Sequence, residues 1–286
     1  MEIRTIGILG AGSMGRGIAQ LAAQSGFQVV LSDTDLDIVE KAVASVEQQL
    51  ARLVDKGKLS DEDRKNTLGR IRKAAGVKPL AETDFVIEAV FEDEQLKKDI
   101  FQELDQICRP EVLLTTNTST ISITSIASAT KRPDKVAGMH FFNPAPVMRL
   151  VEVIRGYYTS DDTVRTVMDL ARRMGKTPVE VKKDSPGFLV NRIMLAQFCE
   201  AMKLLEEGVA TVEDIDTAVK LGLNYPMGPF ELMDFTGVDI ALHTLNYLCN
   251  EFKETRWNPP FSLKRVVKAG RYGRKTGRGW YDYSDK

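Results

Sequence analysis

Ile3-Arg4-Thr5-Ile6-Gly7-Ile8-Leu9-Gly10-Ala11-Gly12-Ser13-Met14-Gly15 decides how the first half of the chain is read. A short apolar run of strand character leads directly into G-x-G-x-x-G, and Met14, Ile18, Leu21 and Ala22 then recur at helical spacing. In that setting each glycine has a task. Gly10 makes the tight turn, Gly12 lets backbone approach a pyrophosphate, and Gly15 lets the helix pack on the strand. The pyrophosphate is expected at the helix start, beside Ser13 and Met14, where unpaired N–H groups and the helix dipole favour an anion. A second strand, residues 27–32, ends at Asp33, which lies 18 residues beyond Gly15. That is about where a carboxylate takes the ribose 2′-hydroxyl of NAD and repels the extra phosphate of NADP. FAD uses the same fingerprint, so the glycines alone leave it open; Asp33 favours NAD.

From this unit the pattern extends in both directions along the chain. Two charged helical stretches, 36–56 and 60–75, meet at Gly57 and read as a helical hairpin standing beside the sheet. Strand-like runs follow at 84–90, 112–116, 136–142, 150–154 and 178–182, with helical patterns at 94–108, 122–129 and 163–174 between them. Asp184-Ser185-Pro186 has the form of a helix start, a capping residue followed by Pro at the first helical position. Beyond it, 187–207, 211–221, 229–252 and 262–269 all read helical. The expected architecture is therefore an α/β Rossmann-type domain with an inserted helical hairpin over 1–184, and an all-α domain over 185–286.

The bulk composition narrows the function classes. The chain has 286 residues, 43% hydrophobic and 28% charged, with a formal net charge of -1. That suits a globular protein and gives no general attraction to nucleic acid or to an anionic membrane. No apolar run approaches the roughly 20 residues that cross a bilayer. The basic residues Arg271, Arg274, Lys275 and Arg278 near the end have no basic domain around them, and are expected to clamp the tail onto the fold. Cys108, Cys199 and Cys249 are odd in number and far apart, with neither disulfide nor metal spacing. Together with a first strand that starts almost at Met1, leaving no room for a targeting peptide, they point to a cytoplasmic protein with reduced thiols and no metal.

The chain has two histidines, His140 and His243. The first sits in Gly138-Met139-His140-Phe141-Phe142-Asn143-Pro144-Ala145-Pro146-Val147-Met148-Arg149-Leu150-Val151-Glu152, two strand-like segments about a loop centred on Pro146. Antiparallel pairing about that centre sets His140 opposite Glu152, and opposed Cβ atoms lie about 4.5–5.5 Å apart. A carboxylate holding one imidazole nitrogen leaves the other to accept a proton, and stabilises the resulting cation. His243, in Ala241-Leu242-His243-Thr244-Leu245, has no such acidic neighbour and reads as structural.

With these motifs, the chain resembles the 3-hydroxyacyl-CoA dehydrogenase family, and most closely its short bacterial 3-hydroxybutyryl-CoA members. The resemblance runs from residue 3 to about residue 283. It is carried by the glycine motif, Asn117-Thr118-Ser119-Thr120, the block from His140 to Glu152, and Pro186-Gly187-Phe188-Leu189-Val190-Asn191-Arg192. Tyr225-Pro226-Met227-Gly228-Pro229 and Gly273-Arg274-Lys275-Thr276-Gly277-Arg278-Gly279-Trp280-Tyr281 belong to it as well. It implies NAD as cofactor, an acyl-CoA substrate and a homodimer. His140 is then the general base, Glu152 its orienting partner, and Ser119 and Asn191 hydrogen-bond the substrate oxygen and carbonyl. Glu88, Lys97 and Asn117 stand where the family contacts the nicotinamide half of the cofactor, and Asn143 joins the cofactor set. Arg52 and Lys56 fall in the segment whose cations meet the coenzyme A phosphates. Thr120 stands where many relatives carry a second serine, and keeps the hydroxyl. A β-hydroxyacid dehydrogenase of the 6-phosphogluconate type shares the opening motif but needs a lysine where Asn191 stands. A non-enzymatic relative, such as a lens crystallin, would be signalled by loss of the histidine or its carboxylate, and both are present.

Overall fold

In a computed structural model of the chain, residues 2–284 are described; residues 1 and 285–286, at the outer ends of the two expected domains, lie outside them. The chain divides into two compact units, Met1–Ser185 and Pro186–Lys286.

The first unit is built on one sheet. Its strands are β1 (Thr5–Leu9), β2 (Gln28–Asp33), β3 (Ile71–Ala75), β4 (Phe85–Glu88), β5 (Leu113–Thr116), β6 (Val136–Phe141), β7 (Leu150–Ile154) and β8 (Thr177–Val181). They lie in the order β3-β2-β1-β4-β5-β6-β7-β8. All neighbours are parallel except β6 and β7, which run antiparallel. The central strands are buried on both faces, which is why they read as continuous apolar runs rather than alternating ones. Helices α1 (Ser13–Gln24), α4 (Glu94–Ile107), α5 (Ile123–Ala127) and α6 (Asp161–Arg173) connect them. The core unites Ile6, Ile8 and Leu31 of the sheet with Ile18 and Ala22 of α1 and Val167 and Leu170 of α6.

The hairpin 36–75 departs from the sequence reading. Its first arm, α2 (Leu36–Asp55), is capped by Asp35 and buries Val39, Ala42, Val46 and Leu50. Its second arm, α3 (Asp61–Gly69), is capped by Ser60 and ends early, because Ile71–Ala75 is an edge strand parallel to β2. The hairpin is thus also the crossover from β2 to β3. Only Ile71 and Ala74 of β3 are buried, and Arg72 and Lys73 pair with Glu82 and Glu40. A charged edge of this kind guards against pairing with another chain, and it hides the strand from a reading based on apolar runs.

The second unit is helical: α7 (Val190–Glu206), α8 (Val212–Gly222), α9 (Pro229–Thr236), α10 (Val238–Phe252) and α11 (Phe261–Lys268). Phe198, Met202, Phe230, Met233, Leu245, Leu248 and Trp257 form its core. Two expectations change here. The helix expected from Asp184-Ser185-Pro186 begins only at Val190, because Gly187 and Phe188 both hold positive φ, 75° and 48°. Asp184 instead accepts hydrogen bonds from the Ser122 hydroxyl and the Thr124 N–H, at the start of α5. The single helix expected over 229–252 is broken at Gly237, whose φ of 108° no helix accommodates. Among the described residues no helix is long and apolar enough to cross a membrane.

Candidate active site

The strand order reverses between β1 and β4, with β2 and β3 to one side and β5 to the other. In such sheets the crevice at the carboxyl ends of the strands beside that switch point is where a dinucleotide binds. The glycines make room for it. A Cβ on Gly15 would overlap the Gly10 carbonyl oxygen, and one on Gly10 would meet the Ala89 carbonyl, so these two hold the turn tight. Gly12 has nothing within 4 Å of its missing side chain, which leaves the backbone beside Ser13 open to a phosphate. Asp33 closes the far side. One of its oxygens accepts the Ala11 N–H at 2.6 Å and the other the Thr34 N–H at 2.7 Å. Ser13 is exposed and Met14 half-buried at the same helix start. A dinucleotide cradle of this shape fits NAD.

The next strand ends carry the polar apparatus. His140 and Glu152 face each other in the β6–β7 register, as pairing about Pro146 predicts. The imidazole Nδ1 lies 2.8 Å from Glu152 Oε2, and both residues are nearly sealed from solvent, at 4% and 1% exposure. A carboxylate held at Nδ1 leaves Nε2 as the nitrogen that accepts a proton. Nε2 faces the Ser119 hydroxyl at 3.2 Å. Phe142 packs on the imidazole, with ring centroids 4.6 Å apart. Asn117 ties the neighbouring strands together, its side-chain oxygen accepting the Phe141 N–H at 2.8 Å. Asn143 is exposed at the end of β6.

Serine, histidine and glutamate in line also describe a hydrolase triad, but one feature argues against hydrolysis. An oxyanion hole needs backbone N–H groups free to point at the developing charge. The N–H groups of Ser119 and Thr120 point instead at the carboxylate of Glu92, at 2.8 and 3.1 Å. A second negative charge there would be repelled. What remains is a buried proton acceptor beside a hydroxyl, at the mouth of a dinucleotide crevice. That is the equipment of an alcohol dehydrogenase.

A family model for the NAD-binding domain of 3-hydroxyacyl-CoA dehydrogenase matches residues 5–185, and one for the C-terminal domain of the same family matches 187–283. The chain belongs to the 3-hydroxyacyl-CoA dehydrogenase family. It is 46% identical to a probable 3-hydroxybutyryl-CoA dehydrogenase of Deinococcus radiodurans, over 97% of this chain and 99% of that one. It is 44% identical to the 3-hydroxybutyryl-CoA dehydrogenase of Clostridioides difficile, over 98% and 99% of the two chains. The crystal structure of (S)-3-hydroxybutyryl-CoA dehydrogenase from Ralstonia eutropha superposes with a TM-score of 0.96 at 46% identity, covering 99% of this chain and all of that one.

Within this family frame, two of the expected cofactor contacts take an interior place. Glu88 and Lys97 are 0% and 1% exposed and lie 2.6 Å apart. Glu88 also accepts the Val90 N–H and the Thr116 hydroxyl, so its carboxylate is taken up by the protein itself. The pair braces the ends of β4 and β5 from behind, and a direct cofactor contact by Glu88 does not follow from its position. Glu92, which the sequence reading passed over, holds the exposed side of this cluster. A signal for it existed in Thr118-Ser119-Thr120, whose clustered hydroxyl and N–H donors call for a nearby acceptor. Arg52 lies in the last turn of α2 and Lys56 just past its end, both exposed. Asn191 is in the first turn of α7, in the second unit.

Proposed function

We propose that this chain interconverts (S)-3-hydroxyacyl-CoA and 3-ketoacyl-CoA, with 3-hydroxybutyryl-CoA and acetoacetyl-CoA as its preferred pair. The observation that carries the reading is the Glu152–His140–Ser119 line beside the dinucleotide crevice, with the glutamate and the imidazole buried. NAD, when bound, supplies the hydride acceptor. His140 Nε2 takes the proton of the substrate 3-hydroxyl, and Glu152 holds the ring and stabilises the imidazolium. Ser119 places that hydroxyl against the imidazole by hydrogen bonding. Asn191 is assigned the hydrogen bond to the substrate carbonyl, and Asn117 and Asn143 sit among the cofactor contacts, as the family resemblance implies. Asp33 selects NAD over NADP through the 2′-hydroxyl. The four-carbon preference is supported by the relatives from Deinococcus and Clostridioides, both described as 3-hydroxybutyryl-CoA dehydrogenases.

Arg52 and Lys56 are exposed cations on one side of the α2 end, suited to the coenzyme A phosphates. Phe235 and Ile240 of the helical unit are 51% and 53% exposed, and are offered as part of a homodimer contact. The free thiols, two buried and one half-buried, favour a reducing compartment such as the cytoplasm. The test of the function is NADH oxidation measured across 3-ketoacyl-CoA chain lengths, with NADPH and free acetoacetate as controls. The expected result is turnover of acetoacetyl-CoA with NADH. Equal efficiency with NADPH, or no turnover of any 3-ketoacyl-CoA, overturns it.

A further inference from the structure

The loop that joins β6 to β7, residues 142–149, contains neither helix nor strand. It is tightened from within by the Pro144 carbonyl, which accepts the Val147 and Met148 N–H groups at 2.9 and 3.0 Å. It also lies against α1. Ala145 is 2% exposed, and a Cβ on Gly17 would stand 3.4 Å from the Ala145 methyl and from Pro146 Cδ. A further hold comes from Lys176, whose ammonium donates to the Ala145 carbonyl at 2.6 Å and to the Met148 carbonyl at 2.8 Å.

A lysine is rarely buried unless it is paired with an opposite charge, yet Lys176 is 8% exposed. Burial pushes its ammonium below the ordinary value of 10.5, and among the described residues no carboxylate offsets that push. The group is kept for its N–H donors, which close the loop across two carbonyls three residues apart. Its own backbone is fixed. Gly175, at a φ of 71°, ends α6, and the Lys176 N–H donates to the Ala171 carbonyl at 3.0 Å. The next residue, Thr177, donates to the Arg149 carbonyl at 2.8 Å, where β8 begins beside β7. The clamp thus ties an irregular loop to the regular framework of helix and sheet. Asn143 stands exposed in that loop, beyond the last residue of β6 and two positions before Ala145, with no strand pairing of its own.

We propose that Lys176 is a positioning residue for the cofactor: by holding the Ala145 and Met148 carbonyls it fixes the β6–β7 loop, so that Asn143 is presented to the dinucleotide. The inference rests on the reading above, in which Asn143 is a cofactor contact. Lys176→Met keeps the length of the side chain and removes both donors. It is expected to raise Kd for NADH, read by fluorescence titration, by about 3- to 10-fold, the loss that follows from one hydrogen bond of ordinary strength. KM for NADH is expected to rise with it, while KM for acetoacetyl-CoA stays within about twofold; a general loss of structure would raise both. Asn143→Ala is expected to weaken NADH by a similar factor. Adding Lys176→Met to it should cost no more than about twofold further, since residues acting through one group are not additive. Amide hydrogen exchange at Val147 and Met148 is expected to be faster in Lys176→Met than in the unmodified chain. Lys176→Arg retains N–H donors for the two carbonyls, and its Kd for NADH is expected within about twofold of the unmodified chain. Losses from Lys176→Met and Asn143→Ala that simply multiply would overturn the proposal, as would equal rises in the two KM values or unchanged exchange at both amides. So would a Lys176→Arg variant that melts like the unmodified chain yet binds NADH as weakly as Asn143→Ala. Failure of the dehydrogenase reading shows in the unmodified chain, as absent turnover of any 3-ketoacyl-CoA, whereas failure of this inference shows only in the variants.

Discussion

The two histidines carry the same imidazole and differ in their surroundings. His140 is buried between a glutamate and a serine hydroxyl, whereas His243 is exposed on α10. Glu152, 2.8 Å from Nδ1, holds the ring so that Nε2 is presented as the acceptor. His140→Ala is therefore expected to lose roughly 10²–10⁴-fold in turnover, the range for a missing general base. It should still bind NADH, as judged by fluorescence titration. Glu152→Gln is expected to be slow as well, since the imidazolium loses its counter-charge. His243→Ala should retain near-normal turnover, and a large loss there would mean that the wrong histidine carries the chemistry. This part of the site was readable from sequence because a strand pair about a Pro-rich loop fixes which residues are opposed. Glu92 was not readable in that way. Its partners lie 26 to 28 positions away along the chain, and nothing in local periodicity brings a loop after β4 against a loop after β5.

The turn between β1 and α1 separates two kinds of glycine, and substitution should tell them apart. Gly15→Ala places a methyl on the Gly10 carbonyl and forces the helix off the strand. Gly12→Ala meets no protein atom within 4 Å and retains an ordinary φ of -64°. The first is expected to destabilise the fold, where each kcal/mol moves the midpoint by about 2–4 °C in a domain of this size. The second should melt close to the unmodified chain yet bind NADH more weakly, because the methyl fills the approach to the pyrophosphate. Equal melting temperatures for the two variants would count against the division. The α2–α3 hairpin supports a parallel argument. Arg52→Ala/Lys56→Ala is expected to raise KM for acetoacetyl-CoA and leave kcat nearly unchanged, since phosphate contacts far from the reacting carbon hold ground and transition states alike. A wild-type KM in low salt would rule these cations out as the coenzyme A site. Two elements that sequence misjudged have separate causes. β3 is a charged edge strand with few apolar residues, and the start of α7 was obscured by a left-handed Phe188 that no residue preference announces.

The helical unit is closed by its own C-terminal tail, and two buried aspartates do the closing. Asp216 accepts the Phe230 and Glu231 N–H groups at the start of α9, and the Tyr281 hydroxyl at 2.8 Å. Asp234 accepts the Trp280 and Tyr281 N–H groups and the Tyr283 hydroxyl. A Cβ on Gly279 would overlap the Asp234 carboxylate, which accounts for a glycine before Trp280. Of the basic residues in this tail, Lys275 pairs with Asp239 and Arg278 with Asp282. Burial pushes the Asp216 carboxyl above its ordinary value of 3.8, and the Phe230 N–H, Tyr281 hydroxyl and Glu231 N–H only partly reverse this. A carboxyl raised in the folded state contributes stability that is present below the ordinary value and is lost as pH climbs through the folded one. In its ionised form Asp216 is a buried charge that depends on its donors. Tyr281→Phe removes one of them and should cost about 1.5–3 kcal/mol at neutral pH, the worth of a hydrogen bond to a charged group. The same substitution raises the Asp216 carboxyl further, so its cost should shrink as pH falls toward 3.8 and the group protonates. The two tryptophans of the chain, Trp257 and Trp280, both belong to this unit, so denaturant unfolding followed by their fluorescence reports on it directly. A destabilisation that stays constant, or grows, on acidification would show that the Tyr281 hydroxyl does not support a charged Asp216.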